Sequence, residues 1–155
     1  RIEAIQFTMS HDDGKKIEDV NSADIILLGV SRTSKTPTSI YLANRGYKTI
    51  NIPLILDQKI PEDLKSDKKK ACVVGLVADP ERLADIRRNR VAIMRDRSLK
   101  EYTDLKFIKE EVENSKKLFK KNNWPVIDVT RRSVEETAAS ILKIIEIKKN
   151  KWELY

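Results

Sequence analysis

Two short apolar runs constrain this chain most: Ile25-Ile26-Leu27-Leu28-Gly29 and Ala71-Cys72-Val73-Val74-Gly75-Leu76-Val77-Ala78. A half-exposed strand would alternate apolar and polar residues, and a buried helix would be longer. Continuous runs of this length fit strands buried on both faces, which occur in parallel sheets covered by helices. Tyr47 to Ile52, closed by Pro53, and Pro125-Val126-Ile127-Asp128-Val129 read as two further strands.

Helical signals fall between them. Residues 2–10 (IEAIQFTMS) read as the close of a helix begun upstream, and His11-Asp12-Asp13-Gly14 as a turn. A helix after Thr36 has Pro37 in its first turn and Gly46 just past its end. Asp79-Pro80 supplies an N-cap and a first helical residue. Between Asp104 and Asn122, Leu105, Ile108, Val112 and Leu118 or Phe119 share one face. Ser133-Val134-Glu135-Glu136 is a capping box opening a helix with the stripe Val134, Ala138, Ile141, Leu142 and Ile145. Trp124 reads as core. Residues 57–70, charged and broken by Pro61, read as a loop with room for a short helix, and residues 148–155 as a basic tail. Strands alternating with helices predict an α/β domain over 1–155: a mostly parallel sheet, helices on both faces, and ligands at the strands' C-terminal edge.

A domain of 155 residues builds a core without staples. Cys72 is the single cysteine, which excludes a disulfide framework and a cysteine-rich zinc site and suits a reducing cytoplasm. One histidine, His11, excludes any mechanism needing two from this chain. No apolar run nears the ~18 residues that span a bilayer, so no membrane partner is expected. The net charge of +7, from 31 basic and 24 acidic residues, favours anionic partners. With aromatics at 6% and no RNA-binding signature, nucleic acid is not expected among them. The chain opens Arg1-Ile2-Glu3 with no signal segment, so residues 1–20 read as the tail of a missing N-terminal part.

The strongest motif lies at the predicted ligand edge. Gly29-Val30-Ser31-Arg32-Thr33-Ser34-Lys35-Thr36 matches the phosphate-loop pattern G-x-x-x-x-G-K-[ST] except that Ser34 replaces the second glycine. A strand leading into a helix N-terminus aims several N–H groups at one point, and the helix dipole adds positive potential. Lys35 supplies a cation for a terminal phosphate and Thr36 a hydroxyl for Mg²⁺. If the position of Ser34 needs a positive φ, the serine changes the loop's shape. A polar strand-to-helix loop with a hydroxyl cap is the plainer reading.

Arginines follow: at about 100° per residue, Leu83, Ile86, Ile93 and Met94 define one face of the helix after Pro80. Arg90 and Arg97 fall inside that stripe, Arg87 at its edge, and Arg88 and Arg95 point away. Inward arginines need an anion, so Arg90 and Arg97 reach phosphate or an acidic partner, or else their stems cover apolar surface while the heads reach water. His11, Asp12 and Asp13 could bind Mg²⁺, deprotonate an attacking hydroxyl, or form only an exposed turn. Asp79 is explained as an N-cap; Asp128, nearly ending a strand, is left as a candidate metal ligand.

The run from Ala23 to Pro37 (ADIILLGVSRTSKTP) resembles the signature of the pyruvate, phosphate dikinase and phosphoenolpyruvate synthase regulatory proteins. HDDG at 11–14, GLVADPERL at 75–83, IRRNR at 86–90 and WPVIDVTRRSVEETA at 124–138 keep the family order over nearly the whole chain. The resemblance implies a kinase-like phosphate-loop domain and a bifunctional enzyme. One activity moves a phosphoryl group from ADP to a threonine of the dikinase or synthase, inactivating it. The other removes it by phosphorolysis, with inorganic phosphate attacking and pyrophosphate leaving. Carried over by position, residues 29–36 (Gly29, Val30, Ser31, Arg32, Thr33, Ser34, Lys35, Thr36) hold the nucleotide phosphates, Lys35 being the least replaceable. His11, Asp12 and Asp13 are the candidates for base or metal work. Phosphorolysis also needs a second anion pocket, for which Arg32 and Arg90 are candidates. The implied partner is a protein, the dikinase ahead of the synthase, and a homo-oligomer is left open. Competing readings are a small-molecule kinase of the phosphate-loop type and a nucleotide-responsive or nucleic-acid-binding module without catalysis.

Overall fold

The computed structural model describes residues 2–12, 22–55, 71–94 and 103–153. In chain order the elements are α1 (Ile2–Ser10), β1 (Ile25–Gly29), α2 (Lys35–Asn44), β2 (Thr49–Pro53), β3 (Cys72–Val77), α3 (Pro80–Met94), α4 (Leu105–Lys121), β4 (Val126–Asp128) and α5 (Val134–Glu153). The strands form one sheet in the order β2-β1-β3-β4, every pair parallel: Ile25 sits opposite Thr49 and Cys72, and Gly75 opposite Val126. This is the expected α/β architecture. The chain leaves β1 toward β2 on one side and crosses back to β3 on the other. A crevice therefore opens at the C-terminal ends of β1 and β3, the switch point where such sheets take ligands.

Burial follows strand alternation on both faces. Ile25, Leu27, Cys72, Val74 and Leu76 pack with Leu42 of α2 and with Ala138, Ile141 and Ile145 of α5. Ile26, Leu28, Val73 and Val77 pack with Phe119 and Trp124. All of β1 and β3 is buried, so the unbroken apolar runs have their physical cause. Local caps match as well. Ser133 Oγ accepts from the Glu136 N–H at 3.1 Å while Glu136 Oε1 accepts from the Ser133 N–H at 3.3 Å. Asp104 caps α4 by accepting from the Lys106 N–H at 2.9 Å.

Some expectations change. α1 is part of the domain: Ala4, Thr8 and His11 are buried, and Thr8 Oγ1 accepts the Thr49 N–H at 3.1 Å. α5 runs on through Glu153, where the sequence predicts a tail from residue 148. On α3 the inward positions are Leu83, Ala84 and Arg87, whereas Ile86 is 37% exposed and Arg90 is exposed. Ile86 leaves the expected stripe because Arg87, with its buried partner Glu111, takes the inward position; the side chains of Ile93 and Met94 lie outside the described residues. The 57–70 segment, Asp13, Arg95 and Arg97 lie outside the described residues.

Candidate functional site

β1 delivers its last residue, Gly29, into a crowded corner. A Cβ there would lie 2.6 Å from Thr33 Oγ1 and 2.8 Å from the Leu76 carbonyl oxygen, so only glycine fits. The chain then turns through two left-handed residues, Arg32 (φ 72°) and Ser34 (φ 63°). For residues with a Cβ each costs about 1–3 kcal/mol. Ser34 thus takes a positive φ at the position of the pattern's second glycine. Thr33 Oγ1 donates to the Val30 carbonyl at 2.8 Å, and Lys35 Nζ donates to the same carbonyl at 2.9 Å. At about 0.5–1.5 kcal/mol each, these bonds offset part of the strain.

α2 begins at Lys35, and Ser34 makes no side-chain cap bond. Its first-turn amides lie at the sheet edge, beside an open cleft of about 560 Å³. Ser31, Ser34, Thr36 and the cations Arg32 and Lys35 line one wall; Pro37, Pro53, Ile86 and Arg90 complete it. Three cations and no carboxylate among the described lining residues give this cleft a positive lining, which favours an anion over a cation. The structure thus brings Arg90 to the loop, from an exposed position. Among the described residues neither Arg32 nor Arg90 has a carboxylate partner within salt-bridge reach, whereas Arg87 pairs with Glu111 and Arg88 with Asp85.

A carboxylate does reach the loop's far end. Asp12, in the turn after α1, accepts at Oδ1 from the Thr36 hydroxyl at 3.0 Å and from the Asn51 amide. Asn51, on β2, is buried, and its Nδ2 lies 3.4 Å from Ser39 Oγ. Sequence reasoning missed Asn51. The available signal was an amide side chain in a strand otherwise buried, which must have a polar partner. His11 is buried and stacked on Phe7, with ring centroids 3.9 Å apart. Its Nδ1 is 2.6 Å from the Phe7 carbonyl and 3.1 Å from Ser10 Oγ. A carbonyl only accepts, so Nδ1 carries the proton and, in the neutral ring, Nε2 is the acceptor.

Asp128 does not join them. It lies on the edge strand beyond β3, and its Oδ1 accepts from the Thr130 N–H at 2.9 Å and the Thr130 hydroxyl at 2.5 Å. Those bonds, the hydroxyl's above all, hold its carboxyl below the usual carboxylate range against the opposing effect of burial. The carboxylate facing Thr36 is Asp12. Asp79 accepts the Leu83 N–H through its carbonyl at 3.0 Å and sits at the head of α3 as the N-cap reading requires. Trp124 is buried core.

Known proteins resemble this chain over most of its length. Residues 1–142 match the family model described as kinase/pyrophosphorylase. A protein of Pelagibacter ubique (strain HTCC1062) is 64% identical over 150 residues, which is 97% of this chain and 55% of that protein. One from Erythrobacter litoralis (strain HTCC2594) is 54% identical over 144 residues, 93% of this chain and 51% of the relative. One from Caulobacter vibrioides (strain ATCC 19089 / CIP 103742 / CB 15) is 45% identical over 154 residues, 99% and 49% respectively. All three bear the name "putative pyruvate, phosphate dikinase regulatory protein". The chain spans about half the length of these relatives.

Proposed function

The chain belongs to the kinase/pyrophosphorylase family, and from that premise we propose that residues 29–36 hold the phosphates of a nucleoside diphosphate for transfer to a protein hydroxyl. The observation that carries this reading is the cleft itself: a strained loop at a helix N-terminus, on the switch point, ringed by Arg32, Lys35 and Arg90. The relatives' name points to pyruvate, phosphate dikinase as the acceptor protein; phosphoenolpyruvate synthase is the alternative target that the motif resemblance implies.

In the forward direction a threonine hydroxyl oxygen attacks the β-phosphorus of ADP, the bond to the bridging oxygen breaks, and AMP leaves. The hydroxyl proton passes to a base, for which the Asp12 carboxylate is the candidate beside Thr36. In reverse an oxygen of inorganic phosphate attacks the phosphothreonine phosphorus. The bond to the threonine oxygen breaks, that oxygen regains a proton, and pyrophosphate leaves. Both directions demand charge neutralisation and alignment more than covalent chemistry. Lys35 supplies an ammonium held against the loop by the Val30 carbonyl, the α2 amides a fixed positive field, and Arg32 and Arg90 the seat for the second anion. The hydroxyl and carboxylate that Thr36 and Asp12 bring together are hard oxygen donors that fit Mg²⁺, which would add neutralising charge at the phosphates.

The intact protein, incubated with purified dikinase and ADP labelled in its β-phosphate, is expected to place the label on a threonine of the dikinase. Label found only on a small metabolite would instead favour a small-molecule kinase, and tight ADP binding with no transfer would favour a binding module. K35A is expected to lower both forward transfer and phosphorolysis at least 100-fold; survival of phosphorolysis alone would mean two separate sites.

A further inference from the structure

The arginines of α3 have three different surroundings. Arg88 Nη1 faces Asp85 Oδ1 at 3.6 Å in solvent, and Arg90 lines the cleft. Arg87 is wholly buried. Its Nη1 donates to Glu111 Oε1 on α4 at 2.7 Å, and its Nη2 donates to the Ser31 carbonyl at 3.1 Å. The Glu111 side chain is only 10% exposed. Arg87 is not among the cleft-lining residues: it grips the loop without bordering the cleft.

We infer that the Arg87–Glu111 pair is a positioning device that sets the plane of the Ser31–Arg32 peptide and so aims the Arg32 N–H at the bound anion. The inference rests on the reading of residues 29–36 as a phosphate cradle. In a trans peptide the carbonyl and the N–H point in opposite directions. Drawing the Ser31 oxygen toward the core therefore turns the following N–H toward the cleft. The left-handed turn at Arg32 and again at Ser34 continues that concave run of donors. Arg87 suits the task because its planar fork serves a carboxylate and a carbonyl at once, which a lysine ammonium does poorly. Glu111 makes the pair neutral and allows it to be buried. The contribution to anion binding is thus one of orientation, distinct from the direct charge of Lys35 and Arg90.

Two variants of the intact protein test this. R87M/E111M replaces the pair by apolar side chains of similar length, an exchange that cores often accept without loss of stability. R87K keeps the charge and the pairing with Glu111 but lacks the planar fork that reaches the Ser31 carbonyl at the same time. Both are expected to unfold near the wild-type midpoint in urea, yet to bind ADP and inorganic phosphate about tenfold (R87M/E111M) and threefold (R87K) more weakly by titration calorimetry. The Arg32 amide resonance, expected to move on phosphate addition in the wild type, is expected to stay put in R87M/E111M. If the double variant does not fold, R87K decides. Variants that fold and bind both anions as the wild type does would overturn the positioning role while leaving the functional reading intact. A wild-type protein that binds neither anion would overturn the functional reading, and this inference with it.

Discussion

Asp12 shows how much of the site hangs on single side chains. Its Oδ1 takes a hydroxyl from α2 and an amide from β2, so one carboxylate ties the turn after α1 to a helix and a strand. D12N keeps the size and removes the charge. It is expected to slow phosphoryl transfer in single-turnover assays about 100-fold or more, while affinity for ADP measured without Mg²⁺ changes less than about threefold. Equal transfer rates would reduce Asp12 to a structural role. The HDDG string and the phosphate loop were each visible in the sequence, but their meeting was not. Asp12 and Thr36 are 24 residues apart, and nothing in local periodicity sets the distance between a turn and a helix start. Asn51 was legible only as an anomaly, a polar side chain inside a strand that is otherwise buried.

The strands and helices were read from the chain largely because each carries its own punctuation. β1 and β3 are unbroken apolar runs, and α3, α4 and α5 begin at Asp79-Pro80, Asp104 and the Ser133 box. Helix faces were less legible. On α3 Arg87 lies inward and Ile86 at the surface, and this escapes the local pattern because the arginine's partner, Glu111, lies 24 residues away on α4. Packing at this scale gives two predictions. A Cβ at Gly75 would sit 2.5 Å from the Phe119 ring, so G75A is expected to destabilise by about 1–3 kcal/mol, measured by urea unfolding. Thr130 Oγ1 donates to Asp128 and accepts the Asp79 N–H at 2.8 Å, joining the turn after β4 to the head of α3. A carboxylate held below its ordinary value of about 3.9 stabilises the fold above that pH and gives the stabilisation up as pH falls through the lowered value. T130V is therefore expected to cost about 1 kcal/mol at pH 7, with the difference from wild type shrinking as pH drops below about 3.9 in pH-dependent unfolding curves.

For the molecule as a whole, the excess of positive charge and the placement of the cleft point the same way. With a net charge of +7 and three cations at the cleft, ADP affinity is expected to fall roughly three- to tenfold as salt rises from ~50 to ~500 mM, because screening shortens the reach of every exposed charge. Calorimetry across a salt series checks this; a flat profile would mean that hydrogen bonding alone holds the ligand. β1 has a neighbour on each side and carries residues buried from Ile25 to Gly29. A loop anchored to one of the two inner strands has little freedom to reshape itself for different guests. On the proposed reading its amides would keep a single aim, and telling a nucleotide from free phosphate would fall to the side chains across the cleft.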